Sequence, residues 1–329
     1  MTDKIKPVVS ILMVAYAAAS TIEAAIEGAL SQNFPCEIII SDDASPDDTF
    51  AVAQKKLATY QGPHHIILRR NEINQGVTQH VNTLMKLATG SYFVFMAGDD
   101  ISYPDRVRMS IEKLTARQDV YALGSAYDEI DMQGLMLRKN VEWNLPEEFG
   151  IENFSRSGKM ITLLGATMVI RRELYDRFGP LRGGVEDNVL TFRAALLGRL
   201  LNLKEVHIQY RQNPQSLSNW FFARGDNSPQ AFRRRYERTL KLYRDTADDL
   251  EHCVTELGPA LHSDKSKIAL DIIRIYRLEA EVREAILDRP KLQWLSPIWR
   301  GLMQPGLRRK SLERALELFF PRSWFGLKA

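Results

Sequence analysis

Apolar runs that break off in charge set the pattern of the first half of the chain. Val8-Val-Ser-Ile-Leu-Met-Val14 lacks the polar alternation of a strand with one wet face, so it predicts a strand covered on both sides. From Ser20 the pattern changes, and Ile22, Ala25, Ile26, Ala29 and Leu30 fall on one face at helical spacing. The alternation then repeats. Glu37–Ile40 predicts a second strand before a helix over Phe50–Tyr60, His65–Leu68 a third before a helix over Val77–Ala88, and Ser91–Ala97 a fourth. Such an order predicts a doubly wound, parallel sheet joined by right-handed crossovers. Beyond it, Tyr103-Pro-Asp-Arg106 opens a helix to about Arg117, Val120–Ala126 reads as a strand, and a turn falls near Asp131–Gly134. Residues 138–159 show little periodicity, Thr162–Ile170 is apolar, and a helix is expected up to Leu197 after Gly183-Gly184. From Ser228 the character shifts to long charged helices, Pro229–Leu257 and Lys265–Leu287, separated by Gly258-Pro259.

Composition narrows the class. With 329 residues the chain accommodates one large domain and an accessory segment. Its 44 basic and 41 acidic residues balance too evenly for a nucleic-acid binder, although basic residues gather at the C-terminus. Cys36 and Cys253 form no CxxC pair, which fits a reducing cytoplasm better than a disulfide framework. The early apolar run is too short to span a bilayer, and residues 1–7 lack the layout of a signal peptide. A protein of the cytoplasm, attached to membrane at most peripherally, is expected.

Candidate chemistry sits where the apolar runs end. Tyr92–Ala97 stops at Gly98-Asp-Asp100, and Ile38–Ile40 stops at Ser41-Asp-Asp-Ala-Ser-Pro-Asp-Asp-Thr49. In open α/β sheets ligands lie outside the carboxyl ends of the strands, which is where both acidic pairs would fall. Glu186-Asp187, before the later helix, is a third acidic pair beside a buried element. Each pair alone also suits a solvated turn or a helix N-terminus.

Taken together and in order, these residues resemble a family 2 glycosyltransferase of the GT-A fold over Val8–Asn219. The matching residues are Val8–Tyr16, Ser31-Gln32, Ile40–Thr49, Asn74–Gly76, Asn82, Gly90, Gly98–Asp100, Pro104–Arg106, Gly179 and Glu186-Asp187. The resemblance implies a Rossmann-like, mostly parallel sheet with a C-terminal helical extension. It implies that Ala15, Tyr16 and Asp43 meet the nucleoside of a sugar donor, UDP-linked in most members, and that Asp99 and Asp100 are the DxD equivalent. Asp100 would ligate Mn²⁺ or Mg²⁺, cations suited to an all-oxygen site beside a diphosphate. Asp187 would be the base that deprotonates the acceptor hydroxyl, with inversion at the sugar. Arg211 would contact the leaving diphosphate. Two departures stand out: Tyr16-Ala17 where members commonly have Tyr-Asn, and Asn213 near an expected His.

The expected organisation is a catalytic domain over 1–219, a helical subdomain over 220–290 and a basic, aromatic tail over 291–329. The tail alternates Trp294, Ile298, Trp299, Phe319, Phe320, Trp324 and Phe325 with arginine and lysine, which suits either an anionic lipid surface or packing on the protein's own helices. No Gln-x-x-Arg-Trp motif of processive synthases occurs. Expected partners are the nucleotide-sugar and a saccharide or lipid-linked saccharide acceptor. The rival readings are a binding or scaffold protein without turnover, and a nucleotidyltransferase. The second would need a Gly-rich basic loop where Ala15-Tyr-Ala-Ala-Ala-Ser20 stands.

Overall fold

The structure, a computed structural model, describes residues 8–214 and 229–319. It divides into two compact units. The first takes the chain up to Gly150 together with Thr162–Leu181 and Leu190–Asn213; the second takes Ile151–Ile161, Arg182–Val189 and the chain from Pro214.

The first unit is built on β1 (Val9–Ala15), β2 (Glu37–Asp42), β3 (His65–Arg70) and β4 (Tyr92–Ala97), paired in parallel in the order β3-β2-β1-β4. The connecting helices are α1 (Ile22–Leu30), α2 (Thr49–Leu57) and α3 (Val77–Leu87), as the alternation of patterns predicts. Ile11, Met13, Ile38, Ile40 and Val94 are buried on one face of the sheet, and Leu12, Ile39 and Phe93 on the other. That burial on both faces explains the missing polar alternation. After the short β5 (Ile101–Ser102) and α4 (Arg106–Ala116), β6 (Val120–Ile130) pairs with β7 (Met136–Val141) across the turn expected near Asp131–Gly134, a hairpin whose second strand had no sequence signal.

Three features of the sheet escape the sequence pattern. One is β9 (Val169–Arg171), which lies antiparallel between β4 and β6 and makes the sheet mixed rather than wholly parallel. Another is the longest strand of all, β10 (Arg199–Arg211), parallel to β6. Its register shifts between Leu203 and Ile208, and it buries Asn202 and His207, so neither a period of two nor an apolar run survives in its sequence. The third is β8 (Glu148–Phe149), which pairs with β10 inside the segment of weak periodicity, just before α5 (Ile151–Ser157). Two helices, α6 (Glu173–Phe178) and α7 (Glu186–Leu197), complete the alternation.

In the second unit, α8 (Pro229–Leu257) and α9 (Ser263–Asp288) pack together across a 3-10 turn at Gly258–Ala260, where Gly258 takes φ +48°. They are followed by α10 (Leu295–Met303) and α11 (Arg308–Phe319). Buried Glu279 of α9 accepts from Arg283 and from Arg314 of α11, both at 2.8 Å. At Gly301 a Cβ would stand 2.1 Å from the Ser311 hydroxyl, so glycine lets α11 close on α10. The expected tail is therefore divided in its role. Trp294, Ile298 and Arg314 are buried among the unit's own helices, whereas Trp299 is 66% exposed. Phe320, Trp324 and Phe325 lie outside the described residues.

Candidate active site

The parallel register brings three strand ends side by side. Ala15 pairs with Asp42, and Val14 with Ala97, so β1 ends between the acidic end of β2 and that of β4. Gly98 makes this convergence possible. A Cβ there would lie 2.9 Å from that of Ala15 and 3.1 Å from Ile22, and the Gly98 N–H donates to the Val14 carbonyl at 2.9 Å. Thus Ala15 is buried in the seam, while Tyr16, just past it, is exposed.

The two carboxylates after β2 divide their work. Asp42 is buried, accepts from the Ser45 N–H and hydroxyl, and is paired with Arg70 at 2.9 Å, so it shapes the turn. Asp43 continues β2 by donating its N–H to the Ala15 carbonyl, and its side chain reaches the loop after β3. There Oδ1 accepts from Asn71 Nδ2 at 2.6 Å and the Gln75 N–H at 3.0 Å, and Oδ2 accepts from the Gly76 N–H at 3.0 Å. The Asn71 amide is fixed by Arg69, whose guanidinium donates to its Oδ1 at 2.6 Å. A carboxylate offers about four acceptor positions. Three of those of Asp43 are filled, and the one left is on Oδ2. Asp47, in the loop between β2 and α2, accepts from Thr49 and Ala19; burial would raise its carboxyl, but these hydrogen bonds hold it below the ordinary value.

After β4, Asp100 is buried and Asp99 is half-buried. Burial, then the charge of Asp99, push the Asp100 carboxyl up to about 8. Two counterweights oppose this, the Arg211 N–H donating to Asp100 Oδ1 at 2.8 Å and the fully buried Arg106. Arg106 lies beneath the strand end, donating to the Ser102 hydroxyl and to the carbonyls of Phe95 and Ala166.

Arg211 ends β10. Its guanidinium donates to the carbonyls of Asp99 (2.7 Å), Asp131 (2.6 Å) and Met132 (3.1 Å). The Arg211 guanidinium thus also braces the fold through backbone carbonyls. Asn213, in the position where a His was expected, donates to Asp99 Oδ2 at 3.1 Å. Asn71 had no signal of its own in the chain; Arg106 and Asn213 stood out only through the family resemblance, because the roles of all three come from strands distant in sequence.

Asp187 belongs to the second unit, in the first turn of α7, with Glu186 before it. Loss of hydration, then the neighbouring charge of Asp187, push Glu186 up to about 8.

Among the described residues no group of three or more His, Cys, Asp and Glu is placed to hold a metal. The adjacent Asp99 and Asp100 still fit a hard divalent cation of the kind that takes one or two carboxylates and completes its shell with phosphate oxygens and water. A cation there would favour the charged form of the Asp100 carboxyl, which burial and then the charge of Asp99 disfavour. His80 is bonded to the Ser41 hydroxyl and His207 is buried, so neither joins this set.

Among solved structures, the chain resembles S. aureus TarS 1-349 in complex with UDP-GlcNAc, with a TM-score of 0.54 at 15% identity over 92% of this chain and 89% of that one. It also resembles the mannosyltransferase PcManGT of Pyrobaculum calidifontis in complex with GDP-Man and Mn²⁺, with a TM-score of 0.55 at 16% identity over 98% and 84%. These likenesses show the fold, a GT-A sheet with a helical extension. In sequence it is 32% identical over 124 residues to the Escherichia coli protein WfaP, a UDP-Glc:alpha-D-GlcNAc-diphosphoundecaprenol beta-1,3-glucosyltransferase, covering 37% of this chain and 47% of that protein. The chain spans about half or less of the length of the curated relatives it matches first. The Glycosyl transferase family 2 model matches residues 10–179, from β1 through the acidic ends of β2 and β4 to the end of α6, and the chain belongs to that family.

Proposed function

We propose that the protein transfers a sugar from a nucleoside diphosphate sugar, UDP-linked in this reading, to a hydroxyl of a saccharide or lipid-linked saccharide, with inversion at the anomeric carbon. The product class would be a bacterial polysaccharide or cell-surface glycan. One observation carries the reading: Asp43 and the Asp99–Asp100 pair stand at the same edge of one sheet with a single strand between them. Two inter-strand spacings are roughly 10 Å, a length that a nucleoside diphosphate laid along the edge spans. The remaining acceptor position on Asp43 Oδ2 suits the N3–H of uracil, and exposed Tyr16, at the end of the intervening strand, is offered to the nucleoside.

Asp99 and Asp100 would face the diphosphate through Mn²⁺ or Mg²⁺ held by Asp100, a cation that, when bound, offsets the charge gathering on the departing group. Arg211 and Asn213 hold the two carboxylates in register, Arg211 from the backbone and Asn213 through Asp99 Oδ2. Asp187 would take the acceptor's proton as the hydroxyl oxygen bonds the anomeric carbon and the bond to the diphosphate breaks on the opposite face. The Glu186 carboxyl beside it is raised by burial and then by the charge of Asp187. Residues 291–329 would serve as a peripheral membrane contact at the inner face of the cell membrane.

The test is single-turnover transfer at saturating donor beside calorimetric titration with the donor. Asp187→Asn is expected to leave donor affinity near that of the parent while transfer falls by roughly 10² to 10⁴. Asp100→Ala is expected to lose metal-dependent binding of the nucleoside diphosphate as well as transfer. Near-normal transfer by Asp187→Asn would remove it from the mechanism, and metal-dependent binding retained by Asp100→Ala would contradict the assignment of the cation.

A further inference from the structure

Helix α10 is apolar on two opposite faces. One face, with Pro297, Ile298 and Gly301, is buried in the second unit. On the other, Leu295, Trp299 and Met303 recur every four residues and so form one stripe along the helix; Trp299 and Met303 are each 66% exposed. Leu292, immediately before the helix, is 79% exposed. A helix that only caps its own unit needs one apolar face, with polar residues opposite. Isolated exposed side chains are ordinary, but an aligned stripe of Leu, Trp and Met is not.

Charge says what covers it. From Arg289 to Leu312 there is no aspartate or glutamate, while Arg289, Lys291, Arg300, Arg308, Arg309 and Lys310 fall in the same stretch. Residues 291–329 contain eight basic and two acidic residues, a surplus of six in a chain whose total is +3, so the rest of the chain is net acidic. Arg308 and Arg309 are exposed at the start of α11, the helix that Gly301 allows to pack on α10. A second copy of the chain would set this surplus against itself, and so would a basic partner. An anionic bilayer takes both parts: indole and aliphatic side chains at the boundary of headgroups and acyl chains, and arginine and lysine on the phosphates. Among the described residues no helix is long and apolar enough to cross a membrane, so the contact is in-plane.

We infer that the Leu295–Trp299–Met303 stripe of α10 is the element that inserts into the interface of an anionic lipid membrane, with Arg308 and Arg309 on its headgroups. The inference rests on the reading of residues 291–329 as a membrane contact and is independent of the transfer chemistry. It corrects that reading in one respect, since Trp294 and Ile298 are committed to the protein's own interior.

The experiment is co-sedimentation of the full chain with vesicles of phosphatidylglycerol and phosphatidylcholine in equal parts, and with vesicles of phosphatidylcholine alone. The parent is compared with the triple substitution Leu295→Gln, Trp299→Gln, Met303→Gln and with Leu270→Gln, a solitary exposed leucine on α9, each checked by circular dichroism. Expected is binding of the parent to the anionic vesicles, a loss of about tenfold or more in partitioning for the triple variant, and no change for Leu270→Gln. Should the triple variant fail to fold, Trp299→Ala and the pair Arg308→Gln, Arg309→Gln make the same comparison, the latter pair losing binding on anionic vesicles only. Equal binding by the parent and the stripe variants would overturn the assignment of the face while leaving a membrane role for 291–329 in place. No binding by the parent would overturn both. A parent that is dimeric without lipid and becomes monomeric on substitution of the stripe would give the face to a second copy and overturn the inference.

Discussion

Ala17 and Ala44, which follow the ends of β1 and β2, have φ of +49° and +57°, a region where an L-residue other than Asn, Asp or Gly is strained by its Cβ. At Ala17 the strain has a visible return. The turn aims three successive N–H groups at one loop, Ala17 at the Ser45 hydroxyl (2.9 Å), Ala18 at the Thr49 hydroxyl (2.8 Å) and Ala19 at the Asp47 carboxylate (3.1 Å). This gives the asparagine common at that position in the family a physical reason, since its side chain tolerates the left-handed region. Ala17→Asn is therefore expected to stabilise the protein by about 0.5 to 1 kcal/mol, read as a higher urea midpoint at unchanged slope. A lower midpoint would mean that the backbone conformation is not what limits this turn.

Among the elements, α9 and α11 are joined by a buried charge. Burial alone would raise the Glu279 carboxyl, but the charges of Arg283 and Arg314 outweigh it and hold the group at about 2, below its ordinary 4.5. A carboxyl lowered on folding adds stability that is complete above the unfolded value and lost as pH falls through the folded one. The second unit should thus lose stability progressively from about pH 4.5 down to about pH 2. Urea unfolding across that window, followed through amide exchange in α9 and α11, measures it. Glu279→Gln should flatten the slope and, at neutral pH, cost on the order of 3 to 5 kcal/mol, because Arg283 and Arg314 are left without their counter-charge. A slope unchanged by the substitution would place the acid sensitivity elsewhere.

At the scale of the molecule, what was legible in the sequence was what is local. β1, β2 and β4 declared themselves because each is covered on both faces, and the acidic ends of β2 and β4 because an apolar run cannot end in two carboxylates unnoticed. The charged helices α8 and α9 were legible for the same reason, a long uninterrupted period. In the other half of the sheet only β6 was read as a strand. β10 hides behind a bulge and two buried polar side chains, β9 is three residues long, and each takes its meaning from a partner far along the chain. The division inside the C-terminal segment was equally hidden, since Trp294 and Trp299 read alike until the helices place one inside and the other out. The brace at Arg211 belongs with these. It reaches two stretches that lie some eighty and more than a hundred residues before it, yet its side chain bonds there only to main-chain carbonyls, which every amino acid possesses. A change of Met132 to nearly any other residue would go unread by the acidic pair, and a change at Asp131 would be felt in its own turn, where its carboxylate accepts from the Gln133 and Leu135 N–H groups. The turn beside the site can therefore change its side chain at Met132 without loosening the brace, whereas a change at position 211 removes all three of these bonds at once.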